Sequence, residues 1–286
     1  MVWTFSNGEW KVENIHVNPM LGPSVEALID SGAKRGDLII QDGEGWRLVS
    51  AYWIHAGLIH LFLAIFGLIA FGWGMEKEWG WMRVAPIYLI GGLFGELLST
   101  MIVPTTVGVG ALGAVLALFG AEWGDIAQNH RLYQRSVIKQ TITLVLFMFM
   151  CMFVGLLPFI DNWANVGGTA MGILLGTAIL VREDPALSQA RKRIQNFVRM
   201  AAAIGALAMV IAGFAVLYTN VHGEWCGEAC EALDCQEFPV GNATGIDKWW
   251  YCSDCRLYGF TSYLQVSAPF VGSGLGLGLV LGLGLC

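Results

Sequence analysis

The sequence predicts an all-α polytopic membrane protein, a six-helix transmembrane bundle that contains one short central helix. Three observations predict this class. The chain is 56% hydrophobic and only 13% charged, whereas an ordinary soluble domain is about 25% charged. Several apolar runs reach about 18 residues or more, which is the length that a transmembrane helix needs. One apolar run, residues 108–121, is too short to span the membrane alone. As a helix it would rise only about 21 Å, whereas the hydrocarbon core is about 30 Å thick.

The apolar runs define the order of the segments. Residues 1–49 are polar and turn-rich, so they are assigned to a loop region outside the membrane. The predicted spans on either side of the short helix are 50–73, 84–103, 138–160, 163–181 and 198–218. The short helix is expected to begin inside the bundle, because backbone at membrane depth must face protein or a water-filled cavity. The transmembrane core is therefore 50–219, followed by a cysteine-rich segment at 220–262 and a Gly/Leu-rich tail at 263–286.

The distribution of lysine and arginine predicts the orientation. Ten of them lie in short connections at one end of the bundle, and this end is assigned to the cytosol. The opposite end is then in a lumen or outside the cell, as in the secretory pathway or plasma membrane. An exterior N-terminal segment without a signal peptide predicts a further helix before residue 1. The net charge of −6 with no basic stripe favours the lipid bilayer over nucleic acid as a partner.

Several short motifs, taken in order, resemble those of the rhomboid family of intramembrane serine proteases. They include NPMLGPS at 18–24, WRL at 46–48, HAGLIHL at 55–61, YLIGG at 88–92, GVGALGA at 108–114 and DNWANVGG at 161–168. The similarity covers about residues 15–260 and is closest to the eukaryotic secretory-pathway branch. It implies the rhomboid fold for the predicted bundle.

The resemblance also implies a site. In active rhomboids the central helix opens with Gly-x-Ser-Gly, and a histidine on a later helix is the general base. Here Leu112 stands at the serine position and Asn165 at the histidine position. His60 and Ala64 stand at the histidine and asparagine positions that help to stabilise the oxyanion. Leucine has no lone pair and asparagine is no usable base near neutral pH, so a pseudoprotease without catalytic activity, cofactor or metal is expected.

The expected function is to bind transmembrane client proteins and to influence their trafficking or degradation. The residues expected to line a client cavity are His55, His60, Glu96, Gly110, Leu112 and Asn165. A simpler interpretation is that Leu112 fills the former site while Asn165 bonds to backbone. Residual proteolysis through a hydroxyl stays open, as does a role as a structural subunit of a membrane complex. The hydroxyls considered are Ser99, Thr105 and Thr106.

Gly168, Gly172 and Gly176 recur every four residues on one face of a predicted helix. Small residues at this spacing let two helices approach closely, and the resemblance implies that this face packs against the central helix. Helix packing is therefore the predicted role of the three glycines, with dimerisation as the alternative.

The segment 220–262 contains five cysteines, Cys226, Cys230, Cys235, Cys252 and Cys255. An oxidising lumen favours disulfides over a zinc site, so two bridges and one spare thiol are predicted, with open connectivity. Asn242 begins an Asn-Ala-Thr sequon and is a candidate for glycosylation.

Overall fold

The computed structural model describes residues 1–104, 106–133 and 136–219, together with Cys230, Leu233, Trp249 and Cys252. All regular elements in these residues are helical. The N-terminal segment contains α1 (Val2–Asn7), α2 (Val25–Asp30), α3 (Gly36–Ile40) and α4 (Arg47–Ser50). The bundle contains α5 (Leu58–Gly67), α6 (Trp73–Trp79), α7 (Trp81–Ile102), α8 (Leu112–Asn129), α9 (Val137–Val154), α10 (Asn162–Ile179) and α11 (Gln189–Tyr218). The predictions for Thr105, Cys226, Cys235, Asn242, Cys255 and the tail at 263–286 lie outside the described residues.

Four helical segments are long and apolar enough to cross a bilayer. They are Leu58–Trp79, Trp81–Ile102, Val137–Val154 and Gln189–Tyr218. The first is continuous, because a π-helical turn at Leu68–Gly72 joins α5 to α6. With α8 and α10 they make six long helical segments within the described ranges. The prediction of an all-α polytopic membrane protein is confirmed.

The helices α8 and α10 form the centre of the bundle, and glycines on α10 bring their backbones into contact. A Cβ on Gly172 would lie 2.0 Å from the carbonyl oxygen of Ala117, and one on Gly176 would lie 2.4 Å from the Cα of Ala121. Gly168 is equally close to the α8 backbone. Because no side chain fits at these distances, the three glycines determine how closely the two helices approach.

The first membrane helix begins at Leu58, so the predicted start at residue 50 is wrong. Residues 51–57 instead pack beneath the N-terminal segment. The buried Asn18 amide donates to the carbonyl oxygens of Pro23 and Ala56, both at 2.9 Å. Hydropathy cannot distinguish apolar residues that are buried by a loop from those buried by lipid, and this explains the early predicted start.

The central helix runs to Asn129, beyond the predicted end at Ala121, and its 18 residues rise about 27 Å. The helix continues past Ala121 because the polar side chains near its C-terminal end form hydrogen bonds. The Asn129 amide donates to the Asp125 carboxylate at 2.5 Å and to the Leu180 carbonyl oxygen at 2.7 Å. The Tyr133 hydroxyl donates to the other Asp125 oxygen at 2.5 Å. These bonds let charged and amide groups remain in a buried helix.

The last helix begins at Gln189, before the predicted start at residue 198, and has 30 residues. It rises about 45 Å, which exceeds the hydrocarbon core of about 30 Å. Its first turns therefore extend beyond the apolar layer. The starts of α9 and α10 lie within a residue of their predictions, but α9 ends at Val154 rather than at 160.

The bundle has two chemically different ends. The basic end carries the α6–α7, α8–α9 and α10–α11 connections. The histidine end carries the N-terminal segment, the α7–α8 connection and the α9–α10 connection. An apolar cluster fills the histidine end, and its buried members include Met20, Leu28, Ile54, Val109, Leu112 and Phe159.

Candidate functional site

The turn that leads into α8 requires glycine. Gly110 has a φ of +118°, in a region that glycine adopts readily and other residues rarely do. A Cβ there would lie 2.2 Å from Cε1 of His60, so the imidazole packs directly on the backbone of the turn. The Gly110 amide donates to the Ala51 carbonyl oxygen at 2.9 Å. These contacts fix the position from which α8 begins.

Leu112 is the first residue of α8, and only 7% of its surface is exposed. Its side chain belongs to the apolar cluster at the histidine end, together with Met20, Ile54 and Phe159. A hydrocarbon side chain supplies neither a lone pair nor a proton. The Leu112 side chain therefore fills space at this site and offers no reactive group, as the simpler interpretation expects.

Two buried histidines lie next to this turn. The rings of His55 and His60 meet edge to face at 5.4 Å between centroids. Nδ1 of His60 accepts from the Ala56 amide at 3.4 Å, which leaves the ring proton on Nε2. Nε2 of each histidine is buried and makes no hydrogen bond within the described residues. One turn along α5, the buried Ala64 offers no polar group. His60 therefore retains an N–H donor that the described fold does not use.

Asn165 lies on α10, one residue beyond a contact with α8. At that contact, a Cβ on Gly113 would lie 2.8 Å from the Ala164 carbonyl oxygen. Asn165 is 1% exposed, and its amide donates to Oδ1 of Asn162 at 3.3 Å. Its own Oδ1 is buried and makes no hydrogen bond in the described part of the chain. Its partner is thus a side chain, not the backbone that the filler interpretation expects.

Glu96 is buried in α7, with 2% of its surface exposed. One turn earlier, a Cβ on Gly92 would contact the Tyr52 ring at 3.6 Å. Burial raises the pKa of Tyr52, and the negative charge of Glu96 raises it further. Glu96 is therefore one turn along α7 from the place where this helix contacts Tyr52.

A second buried polar group at the histidine end was missed by sequence reasoning. We call Lys34, Ser99, Thr106 and Asp161 the lysine cluster. The Lys34 ammonium is fully buried and lies 2.6 Å from Oδ2 of Asp161, 2.5 Å from Oγ of Ser99 and 3.3 Å from Oγ1 of Thr106. The Ser99 hydroxyl donates to Asp161, whose Oδ1 accepts from the Ala164 amide at 2.9 Å. The cluster joins the N-terminal segment to α7 and to the start of α10.

Parts of the cysteine-rich segment lie over this end of the bundle. The Trp163 indole donates to the Cys230 carbonyl oxygen at 3.0 Å, and the Asn162 amide donates to that of Leu233 at 2.6 Å. Cys252 is 4% exposed and packs in the same apolar cluster as Leu112. The segment therefore contacts α10 and the Leu112 cluster from outside the membrane helices.

Two large cavities lie at the basic end, with volumes of about 930 and 990 Å³. None of the six residues expected to line a client cavity lines either of them. No group of three or more His, Cys, Asp or Glu side chains that could hold a metal ion occurs among the described residues. The client cavity around residue 112 stays a prediction.

These features define a polytopic helical membrane protein with a buried polar site at one end of its bundle. Residues 42–182 match the Rhomboid domain. The chain is 34% identical over 241 residues to RHOMBOID-like protein 4 of Arabidopsis thaliana, which covers 80% of this chain and 60% of that protein. It is 32% identical over 231 residues to RHOMBOID-like protein 6, mitochondrial, of the same plant, covering 76% of this chain and 75% of that protein. The chain belongs to the rhomboid family.

The rhomboid family is one of intramembrane serine proteases, and it also contains members that are named inactive. The chain is 34% identical over 161 residues to Inactive RHOMBOID-like protein 8 of Arabidopsis thaliana. That similarity covers 56% of this chain and 46% of the relative. Family membership alone therefore does not decide between an active and an inactive protein. The decision depends on the residues at the site.

Proposed function

We propose that this rhomboid is a pseudoprotease that binds the transmembrane segments of client proteins and influences their trafficking or degradation. The observation that carries the proposal is Leu112 at the first position of α8, directly after the glycine turn that packs on His60. The family resemblance expects a serine there. A leucine cannot attack a carbonyl carbon, so peptide hydrolysis from this position is excluded chemically.

The other positions of the inferred site support the same proposal. Asn165 stands where the resemblance expects the general base, and it holds a long bond to Asn162. A neutral amide cannot accept a proton from a nucleophile near neutral pH. Ala64 removes a donor from the oxyanion site, while His60 is retained. The scaffold is therefore kept while the reactive groups are replaced.

Residual proteolysis is the second candidate, because a hydroxyl and an amine do meet in the lysine cluster. Ser99 lies 2.5 Å from the Lys34 ammonium. The Lys34 amine is ion-paired with Asp161, however, and this pair favours its charged form, which cannot act as a base. Ser99 is fully buried and Thr106 is 4% exposed. We assign this cluster a structural role.

The cavity of about 930 Å³ offers a place for a client. Ala70 and Phe71 of the first membrane helix line one side, and Thr143 and Leu144 of α9 line the other. Only 11% of the apolar window of α9 is buried inside the bundle, so α9 is the least enclosed membrane helix of the four. We propose that a client segment enters from the lipid between these two helices.

The cysteine-rich segment lies at the other end of the bundle, where the carbonyl oxygens of Cys230 and Leu233 accept hydrogen bonds from the start of α10. We also propose that the five cysteines form two disulfides in an oxidising lumen, and that Asn242 carries a glycan there. A shift in gel mobility after endoglycosidase treatment, abolished by Asn242→Gln, tests the orientation and the secretory compartment together.

The decisive experiment compares the native protein with a restored site in proteoliposomes that contain a single-span substrate. We expect no cleavage and no labelling by a fluorophosphonate probe for the native protein. The triple variant Leu112→Ser, Asn165→His and Ala64→Asn should be labelled at residue 112. Leu112→Ala, which opens space without adding a hydroxyl, is the matched control and should stay unlabelled. Labelling of the native protein at Ser99 or Thr106 would overturn the proposal.

Client binding is tested separately by photo-crosslinking. A photoreactive residue at Thr143 faces the cavity between the two helices, whereas one at Ile211, 60% exposed on α11, serves as a lipid-facing control. Single-span proteins should crosslink from Thr143 and not from Ile211. Equal crosslinking from both positions contradicts a specific client site, and fixed stoichiometric partners at both would favour a structural subunit instead.

A further inference from the structure

The second cavity at the basic end is a half-open cleft of about 990 Å³ between the start of α11, the end of α10 and the α6–α7 connection. Its lining is rich in cations and amides, which include Arg83, Arg182, Lys192, Gln195, Asn196 and Arg199. No residue of the histidine end contributes to it. This cavity is thus separate from the Leu112 site, and it adjoins the proposed client cavity, with which it shares Glu78 and Arg182.

The face of α11 that lines the cavity is polar. Lys192, Gln195, Asn196 and Arg199 recur at the spacing of one helix face. The opposite side of these turns exposes large apolar side chains, with Ile194 63% exposed, Phe197 73% and Met200 60%. A surface helix in water has the reverse arrangement. The apolar side chains therefore lie on the side of α11 away from the cavity. Because these turns lie where the helix leaves the apolar layer, the cavity lies beside the membrane surface.

The cations around the cavity are held in place by the fold. Arg182 pairs with Glu78, and its guanidinium carbon lies 4.6 Å from the centroid of the Trp79 ring. Arg83 lies 5.4 Å from the same ring. Nε of Arg199 donates to the Ala178 carbonyl oxygen at 2.9 Å, which leaves its terminal nitrogens available. The positions of three guanidinium groups are therefore determined before any ligand binds.

Three acidic side chains line the cavity beside four cationic ones, so the lining keeps a net formal charge of +1 (four minus three). Glu78 is engaged by Arg182. Asp184 accepts from the Ala186 amide at 2.9 Å, and Glu183 is exposed. Nε of Arg182 is buried and makes no hydrogen bond in the described ranges. The cavity therefore has a positive balance and a buried donor that is not used.

We infer that this cavity binds the phosphate headgroup of an anionic phospholipid from the adjoining leaflet. Arginine and lysine are the side chains that bind phosphate oxygens. The basic end is the one that the positive-inside rule assigns to the cytosol, where anionic lipids are concentrated and basic pockets between helices bind their headgroups. Phe197 and Met200 expose apolar side chains on the same turns, so the acyl chains would remain in the bilayer.

Native mass spectrometry of the delipidated protein, with added phosphatidic acid or phosphatidylcholine, tests this inference. Phosphatidic acid should be retained at least about tenfold more than phosphatidylcholine, since each nearby cation changes anionic-lipid affinity about fivefold. The double variant Arg83→Gln with Lys192→Gln should lose most of this preference. Lys139→Gln, which removes a cation from the other cavity at the same end, is the matched control and should retain it.

A single added charge gives a second test that does not depend on losing a native contact. Asn196→Glu places a carboxylate in the cavity and should weaken retention of phosphatidic acid about fivefold or more. Equal retention of both lipids by the native protein would overturn the inference. So would an equal loss in Lys139→Gln, which would indicate general surface charge. Displacement of the lipid by the same concentration of inorganic phosphate would assign the cavity to a soluble phosphate and overturn the lipid assignment.

Discussion

Two buried polar groups lie at the same end of the bundle and differ in how completely they are bonded. In the lysine cluster, Lys34 contacts three oxygens and Asp161 also caps α10. Around Leu112, by contrast, His55, His60 and Asn165 each have a buried atom without a hydrogen bond in the described residues.

The difference separates buried polar groups whose hydrogen bonds hold the fold from buried polar groups that contribute fewer bonds to it. Unsatisfied buried polar atoms cost free energy, so a structure keeps them where something other than stability is served. The bonded lysine cluster needs no such explanation. The comparison predicts that the lysine cluster is sensitive to substitution and that the Leu112 site tolerates it.

The largest effect is expected when the lysine cluster loses one charge. Lys34→Met leaves the Asp161 carboxylate buried without its counter-ion and should lower the free energy of unfolding by about 3–5 kcal/mol. Thermal or denaturant unfolding in detergent measures this change. Adding Asp161→Asn keeps an oxygen for the Ala164 amide and removes the charge, so the double variant should recover most of the loss. If single and double variants are equally unstable, the ion pair is not what the cluster contributes.

An intermediate effect is expected where α8 and α10 touch, a region that the Leu112 site depends on. Gly172→Ala forces a Cβ to within 2.0 Å of the Ala117 carbonyl oxygen and should cost about 1–3 kcal/mol through overpacking. Gly205→Ala is the matched control, because its Cβ would meet nothing closer than 3.8 Å and alanine favours the helix. The melting temperatures of the Gly172→Ala and Gly205→Ala variants measure this difference. Equal values would contradict the close contact between α8 and α10.

The smallest effect is expected from Asn165, and the buried Asn18, which has more hydrogen bonds, is its matched comparison. Asn18 donates to two carbonyl oxygens and accepts from the Met20 amide at 3.0 Å, so Asn18→Ala should cost about 1–3 kcal/mol. Asn165→Ala removes one long bond and one unsatisfied oxygen and should change stability by less than about 1 kcal/mol. A larger loss for Asn165→Ala than for Asn18→Ala would reverse the comparison drawn above.

Membrane helices that carry a clear apolar run were predictable in place and order. The starts of α9 and α10 follow directly from the sequence pattern, because lipid contact requires apolar side chains over a known length. The beginning of α11 was not predictable in this way. Its first turns are polar because they lie beyond the apolar layer and line a cavity, and hydropathy contains no signal for such an extension.

The contact between the glycine turn and His60 was within reach of the sequence, and the surroundings of this contact were not. Gly110 and His60 were named together because the family resemblance joins two separate motifs, at 108–114 and at 55–61. Lys34 and Asp161 were missed as partners because 127 residues separate them, and neither side chain is unusual in a loop. The end of α8 was also missed, since Asp125 is stable in a helix only through Asn129 and Tyr133.

The separation between Lys34 and Asp161 also has a consequence during biosynthesis. A ribosome must add 127 residues after the lysine before its counter-ion exists. Until then the ammonium group must stay hydrated, because the low-dielectric interior would be too costly for a lone charge. The N-terminal segment therefore packs onto the membrane helices only after the start of α10 has been made and delivered to the same side.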